Sequence, residues 1–406
     1  MQDKKLLKLA LGLSSPWTVK DVKLDLENKK LDIFIDFEKG GRFSCPTCQG
    51  ESRPVYDTKE RTWRHLDFFQ YETLLHARVP RMECPTCGVK TVHVPWARPG
   101  SGFTLLFEAL VLHLAEQMPI LPLSRELRIH ANSIWRILMH YVEQARQDLD
   151  LSKVVAIGID ECSKQKGHQY ITTFCDLERS RVLYVAEHRH AEVLQEFAQD
   201  FKDHKGNVEQ IQQVCCDMWP AYISGVHEHL PNAAITFDRY HVMSMMNRAI
   251  DEVRRSETKE QPELLKRSRY LWLKNPENLS GTQTEWITDL KSLDLKTSRA
   301  YHIKLALQRL WSFRYPKVAE RYLKKWYYWA THSRLEPVVA FAKTLKNHWD
   351  GVLNYTRSRI TNGIVEGINS KIKTALKRAY GFKSFQYYKT IIYLVAGKLD
   401  LPTRSC

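Results

Sequence analysis

Apolar and polar positions change rhythm three times along the chain, and the changes mark its organisation. Up to about Pro99 the pattern is strand-like, with alternating runs such as Tyr71 to Val79. From about Gly100 to Leu149 apolar residues recur at helical spacing. Between Ser152 and about His241 short apolar strands alternate with helical segments. Beyond that, to Cys406, the reading is almost wholly helical and rich in Trp, Tyr, Lys and Arg. Pro99-Gly100-Ser101-Gly102 punctuates the first boundary, because Pro and Gly neither continue a helix nor hold a strand. At the start, Leu6, Leu9, Ala10 and Leu13 fit one face of a short helix. Lys8 interrupts that apolar run and no small-residue cleavage site follows, so a signal peptide is not expected. Ile391 to Gly397 is too short to span a bilayer, and no membrane partner is expected.

Within the second region, Phe103 to Glu116 predicts one helix and Leu123 to Leu127 a second. Arg128-Ile-His130 then turns into a third, Ala131 to Tyr141. Asn132 or Ser133 is the expected N-cap, with Ile134, Ile137, Leu138 and Tyr141 as the buried stripe. A short helix, a tight turn and a capped second helix fit helix-turn-helix geometry. In that geometry Ser133, Trp135, Arg136 and His140 face a DNA groove. An ordinary helical hairpin has the same pattern.

Cysteine usage adds chemistry to the first region. Cys45-Pro-Thr-Cys48 and Cys84-Pro-Thr-Cys87 are two CxxC knuckles, each followed closely by a glycine. A two-residue spacer lets both thiolates of a turn face one ion, and two such turns complete a tetrahedral, structural Zn2+ site. Four thiolates leave no open position, so a catalytic zinc is not expected. The pattern is that of a reducing cytoplasm, not of a disulfide framework. Basic and aromatic neighbours, Arg53, Lys59, Arg61, Trp63, Arg64 and His65, suggest that the module touches DNA, Arg64 foremost; the alternative is a solvated basic rim.

The third region carries acids at strand ends. Val154 to Asp160 is a continuous apolar strand ending on Asp, as buried parallel strands read. His168 to Asp176 and Arg181 to His188 form a hairpin, and Ala191 to Lys202 a helix. Ile211 to Asp217 and Ala233 to Asp238 repeat the device of a strand ending on Asp. Three such strands around a hairpin and a helix are the layout of an RNase H-like fold, which needs a later acid on a helix beside the sheet. Asn362 to Lys373 supplies Glu366, with Asn369 and Lys373 on the same helical face and Ile364, Ile368 and Ile372 on another.

Phosphodiester attack explains these residue types. Two magnesium ions about 3.5–4 Å apart neutralise the entering and leaving oxygens, and Mg2+ (or Mn2+ in its place) needs few ligands beyond carboxylates. Asp160 would bridge both ions; a strand-end acid, Asp217 or Asp238, and Glu366 would complete one each. The chain's 406 residues imply several domains, and its net charge of +15 implies a polyanionic partner, double-stranded DNA first among them. From Met243 to Asn347 lie Trp272, Trp286, Trp311, Trp326 and Trp329, which read either as a DNA-end clamp or as a tryptophan-rich helical core.

Gly158-Ile-Asp160-Glu161, Asp217 to Tyr222, Phe237 to Val242, Tyr270 to Asn278 and Asn362 to Lys373, with both CxxC pairs and the helix-turn-helix, resemble in order the blocks of the ISL-three family of bacterial insertion-sequence transposases. The resemblance covers nearly the whole chain. It implies a DDE transposase that binds terminal inverted repeats and target DNA, as a homodimer or larger assembly, at the nucleoid. It implies the triad Asp160, Asp217 and Glu366, supported by Asp238 and His241. The expected layout is a zinc module at 1–99 and a helix-turn-helix at 100–150. An α/β RNase H-like core follows at 151–242 and 348–406, split by an α-helical insertion at 243–347. The rival reading is a catalytically inactive DNA-binding transcriptional regulator.

Overall fold

The structure, a computed structural model, describes residues 2–165, 169–188, 190, 192–379, 382 and 384–402. His168 and Ala191, which the sequence pattern makes the first residues of a strand and a helix, lie outside the described residues. The chain forms two compact units, Met1–Glu143 with Asp400–Cys406, and Gln144–Leu399.

The first unit opens with α1 (Gln2–Ala10) and a five-stranded sheet of β1 (Trp17–Asp25), β2 (Lys30–Phe37), β5 (Asp57–Arg64), β6 (Glu72–Cys84) and β7 (Gly88–Thr91). A separate small hairpin is made by β3 (Arg42–Phe43) and β4 (Arg53–Pro54). The long β6 pairs with β2, β5 and β7, and its alternating Thr73, Leu75, Ala77 and Val79 are buried on one face, as period two requires. Trp17, Trp63 and Trp96 meet edge to face in the core beneath it. The N-terminal helix differs from the expectation: Leu6 and Leu9 are exposed, while Leu7 and Leu11 pack on this core and Leu13 is buried. The sheet's apolar surface lies one residue around the helix from the face the spacing picks out.

Three helices follow, α2 (Leu105–Ala115), α3 (Ile120–Glu126) and α4 (Ala131–Gln147). The cap of α4 is His130, whose ring accepts from the Asn132 amide at 3.1 Å, instead of Asn132 or Ser133. Ile134, Ile137 and Leu138 are buried as the stripe requires, but so is Trp135.

The second unit holds a sheet in the order β10-β9-β8-β11-β12, made of β8 (Ala156–Gln165), β9 (Gln169–Asp176), β10 (Arg181–Glu187), β11 (Gln213–Cys216) and β12 (Ala234–Phe237). The first three strands are antiparallel neighbours, and β11 runs parallel to both β8 and β12. The helices α5 (Glu192–Asp203) and α6 (Pro220–His229) separate the strands, and α7 (Arg239–Glu260) leaves the sheet for a helical body. That body comprises α8 (Pro262–Leu265), α9 (Arg269–Leu273), α10 (Gly281–Ser292), α11 (Lys296–Gln308), α12 (Pro316–Thr331) and α13 (Glu336–Asn347). The chain returns through α14 (Trp349–Ser358), α15 (Gly363–Arg378) and α16 (Phe385–Ala396), which pack on β12, β8 and β10 respectively. One apolar core runs from Ile157 and Phe174 of the sheet to Trp272, Trp326 and Leu345 of the body. Trp272, Trp311 and Trp326 are core residues; Trp286 and Trp329 are exposed. Among the described residues, no helix is long and apolar enough to cross a membrane.

Candidate active site and metal centres

The parallel half of the second sheet ends along one edge. Pairing between β8 and β11 stops at Gly158 and Cys215, and pairing between β11 and β12 stops at Cys216 and Phe237. Asp160 lies just past that edge, although β8 itself continues to Gln165 in its hairpin with β9; Asp217 and Asp238 directly follow β11 and β12. The strand end expected at Asp160 is therefore only the end of its parallel pairing. Oxygens of Asp160 and Asp217 and a ring nitrogen of His241 lie within 4.8 Å of one another.

Alternation along β8 sends neighbouring acids to opposite faces. Asp160 accepts from the Asn369 amide at 2.7 Å, while Glu161 accepts from the Tyr222 hydroxyl at 3.0 Å. Gly158 makes the α15 contact possible, since a Cβ there would stand 2.4 Å from Val365 Cγ2. One turn before Asn369, Glu366 is exposed and outside the tight cluster, yet its charge acts on Asp238. Lys373, one turn after Asn369, is exposed and its charge reaches Cys162.

His241 joins the two candidates for the second acid, at 2.9 Å from Asp217 and 3.9 Å from Asp238. The two acids differ in employment. Asp238 is nearly fully buried and caps α7 by accepting from the Tyr240 amide at 3.3 Å; Asp217 caps nothing and is a quarter exposed. Burial, then the Asp217 charge, pushes the Asp160 carboxyl up to about 6, against the Glu161 and Asn369 hydrogen bonds. Burial also raises Asp238, helped by Glu366 and Asp217. Burial disfavours a protonated His241, but the bond to Asp217 and the surrounding carboxylates outweigh it, and its pKa lies above the usual value. Asp217 Oδ1, Asp238 Oδ2 and both side-chain polar atoms of Asn362 are buried without a hydrogen-bond partner among the described residues. Desolvated oxygens without donors, gathered at one edge, suit a hard divalent cation. Cys162, Cys175, Cys215 and Cys216 have thiols raised by burial and offer neither thiolate nucleophile nor ligand here. Asn362 went unrecognised in the sequence as part of this site; heading the Glu366 helix, it looks there like an ordinary cap.

In the first unit Cys45, Cys48, Cys84 and Cys87 converge within 4.8 Å. Cys48 and Cys84 sulfurs are 3.6 Å apart, and thiolates about 2.3 Å from a tetrahedral ion would stand about 3.8 Å apart. Backbone amides of Cys48 and Thr47 hold the Cys45 thiol below its usual range, and those of Cys87 and Thr86 bring Cys84 to about 6. The Cys48 sulfur and burial push Cys87 up to about 12. One thiol of each knuckle is thus held towards the thiolate form, the crowding of four sulfurs is what a cation would relieve, and the residues fit zinc.

The DNA-facing expectations divide. Arg136 and His140 are exposed on α4 and Ser133 half-exposed, with Arg136 donating to the Ser133 hydroxyl at 3.2 Å. Trp135 does not face a groove; it is buried, as its neighbour Ile134 is. Arg64 is also corrected. It is buried, paired with Asp67 and Glu72, bonded to the carbonyls of His65 and Thr73, and stacked on Phe107. A guanidinium so enclosed binds its own protein and not a phosphate. Trp63 is likewise core, whereas Lys59 and Arg61 are exposed.

Residues 157–392, which include Asp160, Asp217, Asp238 and Glu366, match a family model described as transposase, of the DDE type and ISL3 class. The chain belongs to the ISL3 family of transposases. This ISL3 transposase also matches the helix-turn-helix domain of transposase family ISL3 over residues 92–142. It further matches the zinc-finger of transposase IS204/IS1001/IS1096/IS1165 over residues 41–87, which contain all four clustered cysteines. It is 27% identical over 352 residues to the transposase for insertion sequence element IS1001 of Bordetella parapertussis, covering 85% of this chain and 86% of that protein. It is 26% identical over 420 residues to the transposase for insertion sequence element IS1557 of Mycobacterium tuberculosis, covering 95% and 94%. The ISL3 transposase is accordingly a DNA-binding enzyme that cleaves and transfers DNA strands and uses a divalent metal. Nothing in these likenesses favours the inactive regulator.

Proposed function

We propose that this transposase recognises the terminal inverted repeats of its own element and cuts and joins their ends with Asp160, Asp217 and Glu366 as metal-holding acids. The observation that carries the assignment is the cluster of Asp160, Asp217 and His241 at the parallel strand edge, with Asp217 Oδ1 buried and unpartnered. Two Mg2+ ions, or Mn2+ in their place, would supply charge stabilisation for the entering and leaving oxygens. Asn369 orients Asp160, His241 orients Asp217, and Asp238 acts mainly as the cap that starts α7. Lys373 and the exposed Arg136 are the cations offered to DNA, and the exposed His140, its pKa lowered by burial and the Arg98 charge, adds a neutral ring beside them. The strand order, two antiparallel strands beside three parallel-paired ones with an acid-bearing helix on the central strand, supports an RNase H-like core. The domain layout is that of the sequence reading: zinc module, helix-turn-helix, and a core split by the helical insertion. Isologous pairing into a dimer or larger assembly on DNA, at the bacterial nucleoid, completes the reading.

The test is cleavage of labelled terminal-repeat DNA in Mg2+. Asp160→Asn, Asp217→Asn and Glu366→Gln keep shape while removing one negative charge, and each should lower cleavage by several orders of magnitude with end binding kept. Asp238→Asn should impair it less. A normal rate in the first three variants would reject the triad. A dead Asp238→Asn beside an active Asp217→Asn would exchange the second acid.

A further inference from the structure

Beside the acids, within the same unit, opens a cavity of about 780 Å³ to which the proposed chemistry gives no task. Asp238 and Glu366 line its mouth, and the helical body supplies its far wall through Lys304 and Trp311. Its near wall is one face of α7. Tyr240, Met243 and Asn247 recur there at helical spacing, so a single helix presents an aromatic plate and, about 10 Å further along, an amide.

Among the described residues, three buried polar atoms of this lining have no partner: Asp238 Oδ2, which belongs to the acid edge, the Trp311 indole nitrogen, a donor, and Asn247 Oδ1, an acceptor. The indole is held firmly, nine-tenths buried, edge-on to Tyr355 with centroids 5.3 Å apart, its backbone carbonyl bonded by Arg359. Tyr240, by contrast, is 65% exposed and free to receive a stacking partner. The charges do not suit a phosphate. Lys304 has its ammonium committed to the carbonyls of Trp272, Leu273 and Lys274 at 3.1, 2.7 and 3.2 Å. Arg239 and Lys274 are matched in the lining by Glu277 and the two acids of the mouth. Away from the acids, the lining therefore offers one donor, one acceptor and an aromatic face to a planar, neutral heterocycle with both acceptor and donor edges.

We infer that this cavity receives one unstacked nucleobase of the DNA end, from a nucleotide flanking the scissile phosphate. The inference rests on the proposed active site, because the shared Asp238 and Glu366 are what bring the cavity next to the cut. Tyr240 stacks on the base, and Trp311 and Asn247 bond its edge. Extrusion gives up base pairing and stacking and gains these contacts, so it holds the end bent away from the duplex path at the acids.

The experiment measures binding without cleavage, using Asp160→Asn protein and terminal-repeat duplexes that are intact or abasic at either nucleotide flanking the cut. Adding Tyr240→Ala, or Trp311→Phe, which keeps an aromatic ring but removes the N–H, should weaken binding to the intact end by about tenfold. Neither should affect binding to the duplex abasic at the extruded position. Equal losses on intact and abasic ends would show that the cavity wall touches duplex backbone instead, and no loss on either would empty the cavity of DNA; both overturn the inference. Cleavage by wild-type protein in Mg2+ is read separately. A wild type that fails to cut while the abasic dependence holds removes the catalytic reading and leaves the pocket. Normal cutting without that dependence removes the pocket alone.

Discussion

Single residues in this protein take their roles from what surrounds them. Arg64 and His65 are adjacent in a basic run, yet both are drawn inward: Arg64 into its pairs with Asp67 and Glu72, His65 onto the Thr104 hydroxyl at 2.9 Å. Burial, and then the Arg64 charge, lowers the His65 pKa to about 4. The folded ring thus resists a proton that the unfolded chain accepts near 6.5, so below that pH unfolding takes up protons. The stability owed to a neutral His65 is complete above about 6.5 and drains away as the pH falls towards 4, by on the order of 2–3 kcal/mol. Thermal unfolding between pH 4.5 and 7 should show this slope in the wild type and a shallower one in His65→Gln. Parallel curves would mean that His65 is not the group responsible.

At the scale of elements, the contact of α15 with β8 decides where the last acid and Asn369 stand. Gly158 leaves no room for a Cβ against Val365 Cγ2 at 2.4 Å and Leu177 Cδ2 at 2.9 Å. Gly158→Ala should overpack this contact, cost about 1–3 kcal/mol and push α15 away from Asp160. We expect a lower melting temperature and weakened cleavage with end binding intact, and recovery of both when Val365→Ala is added. Cleavage that stays low in a refitted double variant would place the fault elsewhere than in helix spacing. The zinc knuckles are a second element-scale device. Cys45 and Cys84 are buried in the core of the first unit, so the metal and that core stabilise each other. Elemental analysis should find about one zinc per chain, and chelation should unfold the first unit, since zinc supplies roughly 10–16 kcal/mol in small fingers. A folded, zinc-free preparation would end this account.

Over the whole molecule, 61 Lys and Arg residues against 46 Asp and Glu set the partner. With about 6–10 phosphate contacts, affinity for any duplex should fall by roughly 10³–10⁵ between 50 and 200 mM salt. A titration of log affinity against log salt checks this, and a flat line would mean that the positive charge is spent within the protein. The same analysis separates specific from general contacts: Arg136→Ala should reduce discrimination between terminal repeats and random DNA, whereas loss of a phosphate contact lowers both alike.

The sequence by itself determined what local chemistry dictates. Two Cys-Pro-Thr-Cys turns can present thiolates in few other ways, so the convergence of Cys45, Cys48, Cys84 and Cys87 was legible, as were the apolar strands leading to Asp160, Asp217 and Asp238. Helical spacing likewise put Glu366 and Asn369 on one face. Burial of charged and aromatic side chains was not legible, because it depends on what packs from the far side: Trp135 and Arg64 look like surface residues until α4 and β5 acquire neighbours. Nor could spacing rank Asp217 against Asp238, which occupy equivalent strand ends. The family resemblance implies Asp217, and the tertiary structure gives the two acids different surroundings: Asp238 caps the first turn of α7, whereas Asp217 stands beside Asp160 and His241. The cavity at Tyr240, Asn247 and Trp311 was decided at the same level. Its walls come from segments tens of residues apart, and an unpartnered donor or acceptor exists only after the rest of the chain has failed to supply one.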